Sequence, residues 1–312
     1  MPSLDLTPEF FTPVLPAWAG PEELDWADWR GRRLASLHAD YGWLTLASYE
    51  WLPESPSELN SVPGLWSAQD GTARIAPQNP ESPILLNLAG EPLKGGTVTL
   101  AEGESDIVAR FDAARRPFDA LFRNGSRRRV DHGMVHIELG VRGGRYMIRT
   151  RLPKPELAKI PTYPYDPSWI VSAVFEPSAA PYVESVASAR DDTTVFTTIE
   201  GTVRFHIPGL DEEVVAAVES SGEVGENTAY TLTFSDSTNG KSTPRWRFVS
   251  VVVFGRPGPA GWAPGEHNAV IDFNRALCYP MAFGPYAVCP APVLGNSIPA
   301  PVTAGEKALP TV

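Results

Sequence analysis

Residues 134–152 read MVHIELGVRGGRYMIRTRL. Val135, Ile137, Leu139 and Val141 alternate with His136, Glu138 and Gly140, the two-residue period of a strand with one buried face. Gly143-Gly144 supplies a two-residue turn, because tight hairpin turns need residues free to take positive φ. Beyond it Tyr146, Ile148 and Leu152 continue the apolar face, and Arg145, Arg149 and Arg151 the polar one. A two-residue turn sets Glu138 opposite Arg149 and His136 opposite Arg151. Such cross-strand charge pairs add about 0.2–1 kcal/mol each, so a solvated polar face is the plain expectation. In the sharper reading the arginines enter a groove and meet an anionic ligand.

The same grammar extends outward from this hairpin. Short apolar runs between turn residues predict strands near 43–49, 83–88, 97–100, 107–111, 170–175, 193–199 and 201–207. Residues 228–235 and 245–254 read as a second hairpin, with Tyr230, Leu232 and Phe234 facing Trp246, Phe248 and Val252. One helix is expected, starting at Gly20-Pro21-Glu22-Glu23 and ending near Asp40. Proline at its first position and acids in its first turn suit a helix start. Before it, residues 1–19 read as a surface arm. Residues 153–169 hold five prolines, which suit neither helix nor central strand. They mark the expected boundary between residues 1–154 and 155–312. The fold class is mostly β: two β-rich units, sandwich or barrel, with an N-terminal helix and a long proline-rich C-terminal loop.

Composition narrows function by exclusion. A net charge of -11 and a pI near 5.0 leave no electrostatic footprint for nucleic acid or an anionic membrane. The opening residues lack a signal peptide's basic region and apolar core. The expected setting is therefore a reducing cytoplasm with Cys278 and Cys289 as thiols. Those cysteines stand eleven positions apart, not a zinc-ligand spacing. Asn239-Gly240-Lys241-Ser242 lacks the upstream glycine of a phosphate loop and lies between strands. No serine elbow or dinucleotide fingerprint is present, and histidines 38, 132, 136, 206 and 267 are scattered. No cofactor and no metal are expected.

Residues 271–307 read IDFNRALCYPMAFGPYAVCPAPVLGNSIPAPVTAGEK, with both cysteines and six prolines. Long loops of such specific composition are built for a purpose. The DFNRA run, AFGPYAVCPAP, GN and AGEK resemble uncharacterised bacterial proteins grouped as domain of unknown function 1684. The likeness extends to Trp29 and Arg33, to residues 42–46 and Trp51-Leu52, to Arg142-Gly143-Gly144-Arg145 with Arg149, and to Asp236-Ser237-Thr238-Asn239-Gly240 with Thr243 and Arg247. Where relatives usually read N-P-P-C, this chain reads Cys278-Tyr279-Pro280-Met281, while Cys289 matches. The resemblance implies kinship and carries over no activity.

Three functions are weighed for the loop. The leading one is a small-molecule enzyme of isomerase, cyclase or hydrolase type in a biosynthetic pathway. In it Asp272 is acid or base, Lys307 a cation or base and Cys289 a nucleophile; Arg149, Arg247, Asn274, Arg275 and Glu306 bind the ligand. The second is a non-catalytic binder of a small molecule, and the third a structural or partner-binding β-protein. The expected partner is a small organic molecule, anionic in the sharper reading. A homodimer is left open.

Overall fold

The computed structural model describes residues 22–79, 84–121, 127–153 and 160–309. The arm over 1–19, the Gly20-Pro21 helix start, the head of the 83–88 run and part of the boundary segment lie outside the described residues. Helix α1 (Glu22–Leu37) precedes β1 (Leu46–Trp51), β2 (Ser57–Glu58), β3 (Leu65–Gln69), β4 (Thr72–Ala76), β5 (Gly96–Val98), β6 (Ser105–Asp112), β7 (Phe118–Leu121), β8 (Arg127–Val130), β9 (Met134–Arg142) and β10 (Arg145–Arg151). After residue 160 follow β11 (Ile170–Ala187), β12 (Thr194–Phe205), β13 (Val214–Val224), β14 (Asn227–Asp236), β15 (Arg247–Val253), β16 (His267–Asp272), β17 (Leu277–Cys278) and β18 (Ser297–Ile298). The chain is mostly β with one N-terminal α-helix.

The β9–β10 hairpin takes the register its alternation dictates, Glu138 opposite Arg149 and His136 opposite Arg151. Gly143 and Gly144 both have positive φ, 60° and 73°. The hairpin sits inside a sheet ordered β1-β10-β9-β6, and a second sheet runs β2-β3-β4-β5. The two share one core. Trp66, Ala73 and Ile75 of the second sheet pack with Ile137, Leu139 and Ile148 of the first. Large apolar side chains buried this way stabilise by about 1.5–3 kcal/mol each.

The second unit is closed on itself. An eight-stranded sheet runs β17-β15-β16-β11-β12-β13-β14-β18, and β15 also pairs with β14. Val251, Val252 and Val253 of β15 therefore bond outward on both edges, to β14 and to β16. Six antiparallel strands form a ring. Phe175, Phe205, Phe234 and Phe273 fill its interior with Leu232 and Val251. Phe273 enters from a 3-10 turn at Phe273–Arg275 and meets Trp169 and Phe234 edge-on.

Several elements differ from the sequence reading. Strand β11 does not end at 175 but continues to 187 through Pro177 and Pro181. Its register with β12 breaks between Pro177 and Tyr182, where a missing N–H is tolerated. The two runs at 193–199 and 201–207 are one strand, β12, with an irregularity at Ile199/Gly201. A Cβ at Gly201 would lie 2.4 Å from the Glu176 carbonyl oxygen, so only glycine fits there. Strand β13 was not foreseen, because its Ala, Ser and Gly residues blur the two-residue period. In the β14–β15 hairpin, Tyr230 pairs with Val251 and Leu232 with Val249. Trp246 and Phe248 belong to a different cluster, outside the ring's core, which corrects the expected facing. Residues 43–45 form a 3-10 turn and not a strand start; Thr45 Oγ1 donates to the Gly42 carbonyl at 2.6 Å.

Candidate functional site

The polar residues of the 271–307 loop bond mainly to one another and to α1. Asp272 accepts from the Asn274 N–H at 3.0 Å and from Arg275 Nε at 2.9 Å. Arg275 also donates to Asp25 of α1 at 2.5 Å. Asn274 brackets Asp166, accepting from its N–H and donating to its carbonyl, while its own carbonyl accepts from Trp26 Nε1. Burial holds the Asp272 carboxyl above its ordinary value although Arg275 opposes this.

Glu306 is the centre of a second node. It accepts from Arg30 Nη1 at 2.5 Å, Arg33 Nε at 3.2 Å and the Cys278 N–H at 2.8 Å. Burial alone would raise its pKa; Arg33 and Arg30 outweigh burial and hold it below the usual range. Beside it Arg247, fully buried, donates to the carbonyls of Val302, Ala304 and Glu306 and to Asp236 at 2.9 Å. Asp236 is fixed in turn by the Thr238 N–H and hydroxyl, and Thr238 by Thr243. The Asp236–Arg247 motif thus clasps the last stretch of chain. Lys307 Nζ stands 5.0 Å over the Tyr163 ring. Asp272, Asn274, Arg275, Glu306 and Arg247 form staples, and the structure does not bring Asp272 and Lys307 together as a catalytic pair.

A different site assembles in the seam between the units. The polar face of β9–β10 is not solvated: Glu138, Arg149 and Arg151 are 0%, 2% and 1% exposed. Glu138 accepts from Arg149 and, at 2.7 Å, from Arg151. Burial pushes its carboxyl up, but the two arginines outweigh that and hold it far below the usual range. Arg151 also donates to the Tyr41 and Gly42 carbonyls. Leu46 of the first sheet packs with Trp246, Phe248, Tyr279, Met281, Ala287 and Cys289 in one cluster.

In this region hydrogen bonding is incomplete. Among the described residues Arg149 Nε, Tyr49 Oη and Trp246 Nε1 are buried without a hydrogen-bond partner, and so is Glu219 Oε1 on β13. Tyr49 lies opposite Arg149 in the β1–β10 ladder. The Cys289 thiol feels Arg149 and Arg142, yet burial pushes it up to about 12. It is a protonated thiol at neutral pH, which weakens its expected role as a nucleophile. Burial also raises Tyr49 and Glu219. Tyr279 Oη and Thr233 Oγ1 are 2.7 Å apart. At the rim, the Arg190 guanidinium covers the Tyr49 ring at 4.1 Å and binds Asp192, which accepts from Trp51 Nε1 at 2.8 Å.

One wall of the seam therefore carries Arg142, Arg149 and Arg151, with the carboxylate of Glu138 between Arg149 and Arg151. Of the residues singled out in the sequence, the structure brings Arg149 and Cys289 to it. Sequence reading missed Tyr49 of β1, Glu219 of β13 and Trp246 just before β15, which share no local pattern. Among the described residues no cluster of three His, Cys, Asp or Glu side chains is placed to hold a metal ion. No helix among them is long and apolar enough to cross a membrane.

Residues 156–307 match the family model described as Protein of unknown function (DUF1684), which bears out the sequence resemblance over that segment. No curated protein matches the chain. A solution structure of an uncharacterised protein from Haloarcula marismortui is similar at 22% identity and a TM-score of 0.35. The match covers 47% of this chain and 75% of that one.

Proposed function

We propose that this chain, whose residues 156–307 match the DUF1684 family model, binds a small anionic organic molecule in the seam between its two β-units. The observation that carries the reading is the set of buried donors without partners among the described residues, Arg149 Nε, Tyr49 Oη and Trp246 Nε1. Leaving a buried donor unsatisfied costs about 1–3 kcal/mol. An acceptor-bearing ligand removes that penalty for several donors at once, and the excess of guanidinium groups favours a carboxylate. In this reading the closed ring is a filled barrel that carries the site on its outer wall. A reducing cytoplasm suits its two thiols.

Binding is preferred to catalysis because Asp272, expected to do acid–base work, is held by Asn274 and Arg275, and the seam thiol is protonated. The test is calorimetric titration with small carboxylates, alongside thermal melts of the wild type, Tyr49→Phe and Trp246→Phe. Binding to the wild type, weakened about tenfold by either loss of a hydrogen bond, supports the reading. Absence of binding by every carboxylate, or equal binding by all three proteins, overturns it.

A further inference from the structure

The outer face of the ring contributes an acid beside Tyr279. Glu219 lies on β13 between Ile199 of β12 and Thr231 of β14. Its neighbour Val218 belongs to the ring's interior core, so the alternation of the strand turns Glu219 to the outer face. Thr197 and Thr233 hydroxyls hydrogen-bond its carboxyl group, but Oε1 is buried with no partner among the described residues. Two residues join this acid to the arginines. Tyr279, held at Thr233, lies in the field of both Glu219 and Cys289. Cys289 lies in the field of Arg149 and Arg142. Tyr279 and Cys289 pack in one apolar cluster, with Trp246, Met281 and Ala287 among its members.

We infer that the ligand carries, on the end away from its anionic group, an amine or hydroxyl that donates to Glu219, which places it in the class of amino or hydroxy carboxylic acids. This rests on the seam being the binding site. A plain fatty acid satisfies the arginine wall and leaves Oε1 buried and unpaired. A ligand with a donor at its far end satisfies both the arginine wall and Glu219. Arg149 and Trp246 then fix the carboxylate, and Glu219 selects among carboxylates of equal length.

The experiment is calorimetric titration of the full chain with straight-chain carboxylates of three to six carbons. Each plain acid is compared with its ω-amino and ω-hydroxy counterparts, on the wild type and on Glu219→Gln and Glu219→Ala. At one chain length the donor-bearing acid is expected to bind about tenfold or more tighter than the plain acid. Glu219→Ala is expected to abolish that preference, so that plain and donor-bearing acids of one length bind alike. Glu219→Gln, which keeps the side chain's shape and an acceptor oxygen, is expected to retain part of the preference for the hydroxy acid. If plain and donor-bearing acids bind equally well at every length, this inference fails and the seam site stands. If none of the series binds the wild type, the seam site and this inference fail together.

Discussion

Glu306→Ala is the perturbation that probes the architecture most directly. In the intact protein the carboxylate, 1% exposed, receives two guanidiniums and the Cys278 N–H. Removing one partner of a buried ion pair costs about 3–5 kcal/mol. Each arginine keeps one backbone acceptor, Arg30 the Ile160 carbonyl and Arg33 that of Cys278, which holds the loss to about 3 kcal/mol. The stranded Cys278 N–H adds about 1 kcal/mol. The sum of about 4 kcal/mol is nearly three decades in the unfolding equilibrium. Urea unfolding followed by tryptophan fluorescence measures it as a lowered midpoint. Replacing the whole node with apolar side chains, Arg30→Met, Arg33→Met and Glu306→Leu together, is expected to lose less than the single variant, since no charge is left unpaired. A single variant within about 1 kcal/mol of wild type, or a triple variant worse than the single one, would refute the role of Glu306 as a staple. The sign with pH is also fixed. The folded pKa of Glu306 is depressed, so its contribution is complete above the unfolded carboxylate value of about 4.3. It is lost as pH falls through the lower folded value, and Glu306→Gln removes that portion of the acid sensitivity.

Other expectations follow from the same geometry. Arg247→Lys, which loses the planar fork that reaches Val302, Ala304 and Asp236, is expected to cost about 3 kcal/mol; hydrogen exchange should rise at residues 302–306. Gly305→Ala is expected to destabilise by about 1–3 kcal/mol in thermal melts, because Gly305 has φ 76° and a Cβ there would stand 2.5 Å from the Ala276 carbonyl oxygen. Cys278 and Cys289 should resist a thiol-specific reagent at pH 8 until urea unfolds the chain, since both are buried and burial raises both pKa values. Rapid labelling of Cys289 in the native protein would contradict the buried seam. Arg149→Met leaves Glu138 with Arg151 alone and is expected to lower stability by about 3 kcal/mol, read from the urea midpoint.

The hairpin at 134–152 was legible to the residue because alternation and Gly143-Gly144 both fix its register. Its polar face was misread, since period-two patterning says which side chains share a face and not whether a second layer covers it. Pro177 and Pro181 hid the second half of β11, where a break in pairing absorbs them. In DFNRA the chemistry of Asp272 and Arg275 was visible, but a sequence does not say whether an acid and a base bond each other or a ligand. Tyr49, Glu219 and Trp246 stand on separate segments, and Tyr279, Met281, Ala287 and Cys289 of the 277–291 segment pack with Trp246. That arrangement leaves no mark in local spacing.

Arg30 precedes its partner Glu306 by 276 residues. At about 5–20 residues per second of synthesis, helix α1 leaves the ribosome on the order of half a minute before the carboxylate that anchors it exists. A 16-residue helix is only marginally stable by itself in water. Its arginines must stay hydrated until the clasp around Arg247 has drawn residues 302–306 into place. Docking of α1 then works as a completion check, possible only once the segment that carries Glu306 is in place.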